Sequence, residues 1–393
     1  MQNNQSLINR NRASCSVLVA LIILGILARV TVIHNENMDT SVFLIPWYDY
    51  ITSHGIAKAM GDIFANYTPF YTYLLALVTT IPIPKLIAIK LIPIVMDMLN
   101  SFVVYKIIKQ KYKTGLAPLW ACAIFWCLPT VILNSAFWGQ ADSLYTGFLL
   151  ITLYYLIINR PFLAVLAFSV SISIKLQAIF MGPVLAIILL GCALKPIVFQ
   201  SAAKIKLWYF LLVPIVYSVL CLPVVILGRQ WSEVWSIYIA QAGTYQILST
   251  NAPNPYFHIP NQYFDSVSKP GLIFASVCMF TWIVLTVNQE VKFTKERMVL
   301  AALVAVALAP YLLPKMHDRY FYPADLISFI VAFYLPRLWF LPILFQISSG
   351  LVYYRVLFKI VPHLGITIAV AINGILIAYL LWDQLFGKNR TIL

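Results

Sequence analysis

The chain has 393 residues, of which 62% are hydrophobic and only 10% charged, and its mean hydropathy is +0.86. Apolar runs recur along the whole length, so the composition excludes a soluble protein and indicates a polytopic membrane protein. The net charge of +14 comes mostly from short basic segments between apolar spans, a pattern that indicates membrane topology and not nucleic-acid binding.

The apolar runs predict an all-α fold, a polytopic transmembrane bundle of about 11–13 helices that forms one integral membrane domain over residues 1–393. The first span follows Arg10 and Arg12 and lacks a small-residue cleavage site, so we expect it to be retained. In chain order, helices are predicted near residues 15–33, 68–84, 86–105, 116–133, 142–158, 161–173, 177–194, 207–227, 271–287, 298–313, 323–339, 340–356 and 364–383.

The basic segments predict which loops share a side of the membrane. By the positive-inside rule the clusters at 106–113, 195–206, 292–297 and 388–390 are cytoplasmic. If every segment crossed, the 106–113 cluster would fall outside, so we expect one segment near Pro82 or Pro84 not to cross. The polar loops then lie on the opposite side of the membrane, which predicts an extracytoplasmic site. These loops are 34–67, 134–142, the turn around Lys175, 228–270 and 314–322.

The first of these loops, 34–67, contains the leading candidate residue, Asp39. A carboxylate beside low-dielectric surroundings can accept a proton from an acceptor hydroxyl, and the rings of Trp47 and Tyr67 can stack on sugars. The alternative is an interfacial aromatic belt with solvated acids, and for Asp49 and Asp62 a solvated loop charge is the favoured reading.

The second loop carries Trp138, Gln140 and Asp142 around a glycine that permits close backbone approach. Gln140 supplies hydrogen bonds, and Asp142 stands at the predicted start of the next helix. A plain N-cap for Asp142 and a belt position for Trp138 are equally open.

The third candidate segment pairs Lys175 with Gln177, where the lysine interrupts a long apolar run. A buried ammonium costs roughly 2.5–3.5 kcal/mol on insertion scales, so it needs a partner or an anion. Snorkelling of the lysine to the interface is the alternative.

The segment 314–325 is the densest ionisable cluster of the chain. Cations beside tyrosines suit a phosphate oxyanion, which arginine can bind in a bidentate manner. The alternatives are a salt-bridged cap that uses Asp318 and Asp325, and a general-acid role for His317. Asp39 and His317 lack a companion ligand set, so no metal site is expected. The candidates for phosphate or ring contact here are Lys315, His317, Arg319, Tyr320 and Tyr322.

The long loop 228–270 is interpreted as a mobile lid or an acceptor surface.

Together these segments resemble the C superfamily of polytopic glycosyltransferases (GT-C). Asp39, followed by Phe43 and Trp47, matches the family's catalytic acid in the first external loop, and 66–69 resembles its Asp-Tyr-Pro-Pro motif with Asn and Thr substituted. The segments 138–142, 175–177 and 317–322 resemble bacterial mannosyltransferase-like members and relatives of the GPI mannosyltransferase.

The resemblance implies inverting transfer of a hexose, with mannose favoured, from a polyprenyl-phosphate donor to a glycan, lipid or protein acceptor outside the cytoplasm. It implies no metal or other cofactor. Asp39 would be the base, and the donor phosphate would be bound by His317, Arg319, Lys175 and Lys315. Candidates for sugar or lipid contact are Trp47, Tyr67, Trp138, Gln140, Asp142, Gln177, Tyr320 and Tyr322.

Two further expectations concern location and the competing function. A bacterial plasma membrane is favoured over the endoplasmic reticulum. The glycosylation sequon at Asn66 stands directly before a helix and is followed by a proline, which is a poor context for glycosylation.

The competing function is a lipid-linked sugar flippase or secondary transporter, with Lys175 and 314–325 binding an anionic headgroup. One-sided polar loops and the lack of a visible internal repeat favour the enzyme. A non-catalytic scaffold is a third, less favoured possibility.

Overall fold

The computed structural model describes residues 2–244 and 246–387, and this part of the chain is almost entirely helical. Two strands of two residues each, β1 (Ser249–Thr250) and β2 (Met316–His317), pair in parallel. The helices α1 to α17 are, in order, Gln2–Val32, Ile45–His54, Ile56–Gly61, Pro69–Val78, Lys85–Lys111, Ala117–Trp126, Pro129–Ile132, Asp142–Ile157, Pro161–Ile174, Gly182–Leu194, Leu212–Ile226, Trp231–Thr244, Phe264–Val287, Lys295–Leu312, Tyr322–Tyr334, Phe340–Phe358 and His363–Phe386.

Seven stretches of helix within the described residues are long and apolar enough to cross a membrane, or eight if one bent pair forms a single span. The bent pair turns by 46° between α6 and the segment Pro129–Trp138. The chain is therefore an all-α integral membrane protein, as the composition predicted. The seven are Ser14–Val32, Lys85–Lys111, Leu176–Leu194, Leu207–Ile226, Asn261–Val287, Pro336–Phe358 and His363–Phe386.

The buried centre of the bundle is formed by the shorter helices α8 and α9 together with α14 and α15. Helix α14 is buried on every side from Arg297 to Pro310. Its sequence alternates alanine with valine and leucine, and small side chains allow neighbouring helices to approach closely. Its charged residues are confined to the first turn, so the rest can lie in apolar surroundings.

Helix α4 ends at Val78 and not near residue 84 as predicted. Its ten residues extend about 15 Å, half the hydrocarbon thickness of a bilayer. After the following turn, Lys85 at the start of α5 pairs with Asp49 of α2 at 2.8 Å. At its length, helix α4 is not among the stretches that are long enough to cross a membrane, and the expectation that one segment here does not cross stays a prediction.

The basic clusters gather at the end of the bundle opposite to Asp39. There Tyr112 donates to the carbonyl of Phe333 at 2.9 Å, and Arg337 pairs with Asp383 at 2.6 Å. The ion pair of Lys195 with Glu290 brings the other lysine-rich loops to the same end. The predicted cluster at 388–390 lies outside the described residues.

The loop predicted at 228–270 contains helix α12, strand β1 and the start of α13, which begins at Phe264 and not at residue 271. Its second half is anchored to the bundle: the Asn254 side chain donates to the carbonyls of Pro310 and Leu313 at 3.0 and 3.1 Å. The parallel pairing of Thr250 with His317 fixes it beside the segment 314–321.

Candidate active site

Asp39 lies at the centre of the polar end of the bundle, just before a π-helical turn over Thr40–Leu44. Its Oδ2 accepts hydrogen bonds from Nε1 of Trp138 at 2.8 Å and from Nε2 of Gln140. Its Oδ1 accepts none from the described residues, and 26% of the side chain is exposed. One oxygen therefore holds the carboxylate in place while the other remains open to a ligand.

The local backbone explains how Trp138 and Gln140 reach the same oxygen. A π-helical segment, Leu133–Trp138, ends at Gly139, whose φ of 77° is a left-handed conformation that glycine adopts without strain. Trp138 is only 3% exposed, and its ring packs edge-on against Tyr353 at 5.2 Å. The interfacial belt position considered for Trp138 is therefore wrong, because the indole is buried and serves Asp39.

Asp142 and Lys175 form a buried ion pair under the site. The Nζ of Lys175 lies 2.5 Å from Oδ1 of Asp142, and Oδ2 accepts from Nδ2 of Asn134 at 3.1 Å. The N-cap of α8 is Ala141 and Asp142 makes no capping hydrogen bond, so the N-cap interpretation is wrong. Snorkelling of Lys175 is also wrong, since its side chain is only 11% exposed and is paired. A buried pair of this kind requires both partners.

Arg319 links Asp39 to this pair. Its Nη1 lies 3.7 Å from Oδ2 of Asp39 and 3.3 Å from Oδ1 of Asp318, and its Nε lies 3.4 Å from Oδ2 of Asp142. The second terminal nitrogen, Nη2, makes no hydrogen bond within the described part of the chain. Lys175 is paired with Asp142, whereas Nη2 of Arg319 keeps donors that an anion beside Asp39 can use.

Two tyrosines border the open side of the site. Tyr67 packs between the ring of Trp47, at 5.3 Å, and the ammonium of Lys175, at 5.9 Å, and it remains half-buried. Tyr320 lies 5.2 Å from the ring of His317, also half-buried. Trp47 is only 8% exposed, so it supports Tyr67 from behind and is not an interfacial belt residue.

His317 is held in the short parallel ladder beside Thr250. Burial, together with the charges of Arg319 and Lys175, lowers the pKa of His317 to about 3. The ring is therefore neutral near pH 7, which argues against the expected roles as a phosphate-binding cation and as a general acid. A neutral imidazole can still donate one N–H.

The remaining predicted residues are placed less centrally. The ammonium of Lys315 lies over the ring of Phe264 at 5.5 Å. Tyr322 is fully buried at the start of α15, and its hydroxyl finds no partner in the described residues, so direct sugar contact has no support. Oε1 of Gln177 is buried and equally without a partner there, which leaves its role open.

The salt-bridged cap expected for the segment 314–325 is confirmed for Asp318 but not for Asp325. Asp318 does lie beside Arg319, and burial raises the pKa of this carboxyl to about 6 even though the guanidinium lowers it. Asp325 is fully buried, accepts from the Ser349 hydroxyl at 2.8 Å and has no ion pair within the described residues.

The sequence reasoning missed Asn37, which positions Asp39. Its Oδ1 accepts from the backbone N–H groups of Asp39 and Thr40 at 3.1 and 3.2 Å. Its Nδ2 donates to the carbonyls of Phe137 and Trp138 at 3.0 and 3.2 Å. An asparagine two residues before the key aspartate is typical of such a side-chain turn, and that signal could have found it.

Buried charges in two predicted spans were also missed. Lys90 donates to the carbonyls of Ile33 and Asn35 at 3.0 and 2.6 Å and so fixes the chain as it leaves α1. Deeper in the bundle, Arg29 pairs with Asp97 at 2.9 Å. Each interrupts an apolar run, the same signal that identified Lys175.

No protein-family model matches this chain, and no curated protein matches it either.

Proposed function

We propose that this integral membrane protein is a glycosyltransferase of the GT-C type that uses a polyprenyl-phosphate sugar and employs Asp39 as its base. The observation that carries the proposal is the arrangement around that carboxylate. Oδ2 is fixed by Trp138 and Gln140, Oδ1 is open, and Arg319 stands 3.7 Å away with an unused edge. A general base beside a cation suits attack by a hydroxyl on a sugar that leaves from a phosphate.

The proposed reaction is one direct displacement. The acceptor oxygen forms a bond to the anomeric carbon, the bond from that carbon to the phosphate oxygen breaks, and the hydroxyl proton passes to Oδ1 of Asp39. The electron pair of the broken bond stays on the lipid phosphate, whose charge Arg319 stabilises. Such stabilisation by a preorganised group can be the largest catalytic contribution. A single attack from the opposite face inverts the anomeric centre.

One base is sufficient for this reaction. Glycoside hydrolysis requires a second carboxyl group as acid, whereas a phosphate leaving group needs no protonation near neutral pH. Asp142 is fully buried and bound to Lys175 and Asn134, so it is not free to act as that acid. Asp142 and Lys175 instead serve as the charged support behind Arg319.

We propose that the donor lies against the two half-buried tyrosines that border the site. Tyr67 and Tyr320 present half-buried rings beside the charged groups, and such rings can stack on a sugar or a prenyl chain. Trp138 and Gln140 act through Asp39, because their donor groups are already committed to its Oδ2. A hexose fits this proposal, with mannose favoured by the resemblance alone.

The orientation follows from charge. The lysine-rich loops gather at the end opposite to Asp39, and the positive-inside rule supports a cytoplasmic location for that end. We therefore propose that the site faces the extracytoplasmic side, in a bacterial plasma membrane. Polyprenyl-linked donors have their sugar at the membrane surface, which suits a site at one end of the bundle.

The same clustering disfavours the transporter. Secondary transporters bind their substrate near the midplane of the bilayer, where two halves of the protein can alternate. Here Asp39, Arg319 and Lys175 lie at one end, beside the short ladder of Thr250 and His317.

The test is reconstitution of the full chain into nanodiscs that contain bacterial lipid extract, followed by incubation with a panel of radiolabelled polyprenyl-phosphate hexoses. We expect consumption of one donor, with the label moving into a new glycoside. The same protein in sealed vesicles provides the opposing readout. Movement of a labelled lipid between leaflets, without any new bond, would support the transporter and contradict the proposal.

A further inference from the structure

A cavity of about 380 Å³ opens close to the candidate active site, at the C-terminal end of α16. This volume lies within the range of roughly 300–1,000 Å³ typical of small-molecule sites. Asn251 on its rim bridges to His317, and Tyr353 in the last turns of α16 packs against Trp138. The cavity is lined by Asn251, Arg355, Val356 and Lys359.

The polar side chains that line this cavity keep most of their hydrogen-bond donors unused. Within the described residues the Asn251 amide makes no hydrogen bond, and the Lys359 ammonium has neither a hydrogen bond nor an ion pair. Arg355 uses Nη1 alone, which donates to the carbonyl of Val361 at 3.1 Å. Two cations and an amide therefore face the same space with no carboxylate among their described partners.

Two cations that line one cavity at this end of the bundle require an explanation, whereas isolated exposed lysines of the polar loops, such as Lys58 and Lys269, do not. Extracytoplasmic segments tend to lack basic residues, and the lysine-rich loops lie at the other end. Three cations at the Asp39 end are occupied: Lys85 by Asp49, Lys90 by two carbonyls and Lys175 by Asp142. Cations also suit the C-terminal end of a helix, but that preference does not require two of them to line one cavity with an unpaired amide.

Exposed apolar side chains follow Lys359 along the chain. Ile360 is 72% exposed in the connection after α16, and Leu364 and Ile368 lie one turn apart at the start of α17, 63% and 45% exposed. Spacing by four residues puts Leu364 and Ile368 on one face of α17. A ligand that combines an anionic group with an apolar chain would match both features.

We propose that this cavity binds the phosphate group of an anionic membrane lipid. The inference goes beyond the proposed glycosyl transfer and does not depend on it. Arg355, Lys359 and Asn251 donate to the phosphate oxygens, a role for which the planar guanidinium is well suited. The apolar chain of the lipid lies along Leu364 and Ile368. The phosphate of this lipid and the donor phosphate proposed at Arg319 then have separate cations.

The test is lipid binding by the full-length protein in a neutral detergent, without any sugar donor. Native mass spectrometry counts bound short-chain phosphatidic acid, with diacylglycerol of the same chain length as the uncharged comparison. We expect one saturable phosphatidic acid, and an affinity about tenfold or more weaker in the double variant Arg355→Gln, Lys359→Gln. Arg355→Lys, which keeps the charge, should retain most of the affinity.

A matched control removes the same charge from the opposite end of the bundle. Lys106 and Lys109 are exposed, and Lys106→Gln with Lys109→Gln should leave phosphatidic acid binding unchanged. Equal binding by the cavity variant and wild type would overturn the inference. Competition by glycerol 3-phosphate at the same concentration as the lipid would overturn the assignment to a lipid. Because no donor is present, neither result depends on whether the protein transfers sugar.

Discussion

Lys175 and Asp142 form a buried ion pair, with Nζ 2.5 Å from Oδ1, and Arg319 approaches the other oxygen of the same carboxylate to 3.4 Å. The two acidic residues Asp39 and Asp142 thus share one arginine. Asp142 is completely buried whereas Asp39 is partly open. This difference in exposure is what separates a supporting carboxylate from a candidate base.

Breaking the buried pair should destabilise the protein strongly. Asp142→Asn leaves Lys175 without its carboxylate, and loss of one partner of a buried pair costs about 3–5 kcal/mol. The double variant with Lys175→Gln should lose less than the sum of the two single variants. Melting temperatures in detergent measure the coupling as a double-mutant cycle. The exposed pair of Lys85 and Asp49 is the control, with an effect of about 0–1 kcal/mol; strict additivity at Asp142 and Lys175 would contradict the account.

Replacing Arg319 by lysine should impair turnover while the protein still folds. Lysine keeps the charge but lacks the planar fork that reaches Asp39, Asp142 and a phosphate together. We expect kcat to fall roughly 10²–10³-fold, as for loss of one group that stabilises developing charge. Lys315→Gln is the comparison, and it should have a much smaller effect because its ammonium lies over Phe264. If the two losses were equal, Arg319 would not be the main phosphate ligand.

His317 should influence stability at acidic pH more than catalysis. Its pKa is lowered to about 3, so the folded state favours the neutral ring. The unfolded chain takes up a proton below about pH 6.5, and the folded state therefore loses stability as the pH falls from 6.5 towards 3. Between pH 7.5 and pH 5 this amounts to about 2 kcal/mol. Wild type should lose that much more than His317→Gln, measured as the difference in melting temperature at each pH.

The same variant separates catalysis from stability. A ring that stays neutral between pH 6 and pH 8.5 gives no titration step in that range. The activity profile of His317→Gln should therefore keep the wild-type shape across it. Disappearance of an acidic limb in the variant would show that His317 titrates during turnover.

Asn37 should act as a positioning residue for Asp39. Asn37→Ala removes the acceptor for two backbone N–H groups and both links to the Phe137 and Trp138 carbonyls. Misplacement of a reacting group can cost about 10²-fold, so kcat should fall by that order while KM for the donor changes little. Asn37→Asp keeps the acceptor and should recover part of kcat. Asn35→Ala is the control, since within the described residues the Asn35 side chain makes one hydrogen bond, to the Val32 carbonyl. An equal loss there would argue against positioning.

The membrane class and the polar end of the bundle could be predicted because they depend on composition and on the alternation of loops. Asp39, Gln140, Lys175 and Arg319 all come from loops of the same side, and the structure brings them together. The sequence could not predict which of these side chains form hydrogen bonds or ion pairs with one another. Asp142 stands at the predicted start of a helix, where an N-cap is expected, and only the approach of α9 shows that it binds Lys175.

The burial of single aromatic residues also could not be predicted from the sequence. Trp138 and Tyr322 stand near predicted helix ends and Trp47 stands in the predicted loop 34–67, places where aromatic residues often meet the interface. The structure buries all three: Trp47 in the short helix α2, Trp138 at the end of a π-helical segment, and Tyr322 at the start of α15. The length of α4 was missed for a related reason: an apolar run of adequate length contained a turn that its hydropathy did not reveal.

The most direct test of the central claim compares Asp39→Asn with Glu36→Gln in nanodiscs at a saturating concentration of the consumed donor. Both variants remove one negative charge from the same loop, but Glu36 is exposed, and among the described residues its carboxylate accepts a side-chain hydrogen bond from the Ser41 hydroxyl and not from a residue of the site. We expect Asp39→Asn to lose about 10²–10⁴-fold in kcat or more, as for removal of a general base, and Glu36→Gln to match wild type. Full turnover by Asp39→Asn would show that Asp39 is not the base.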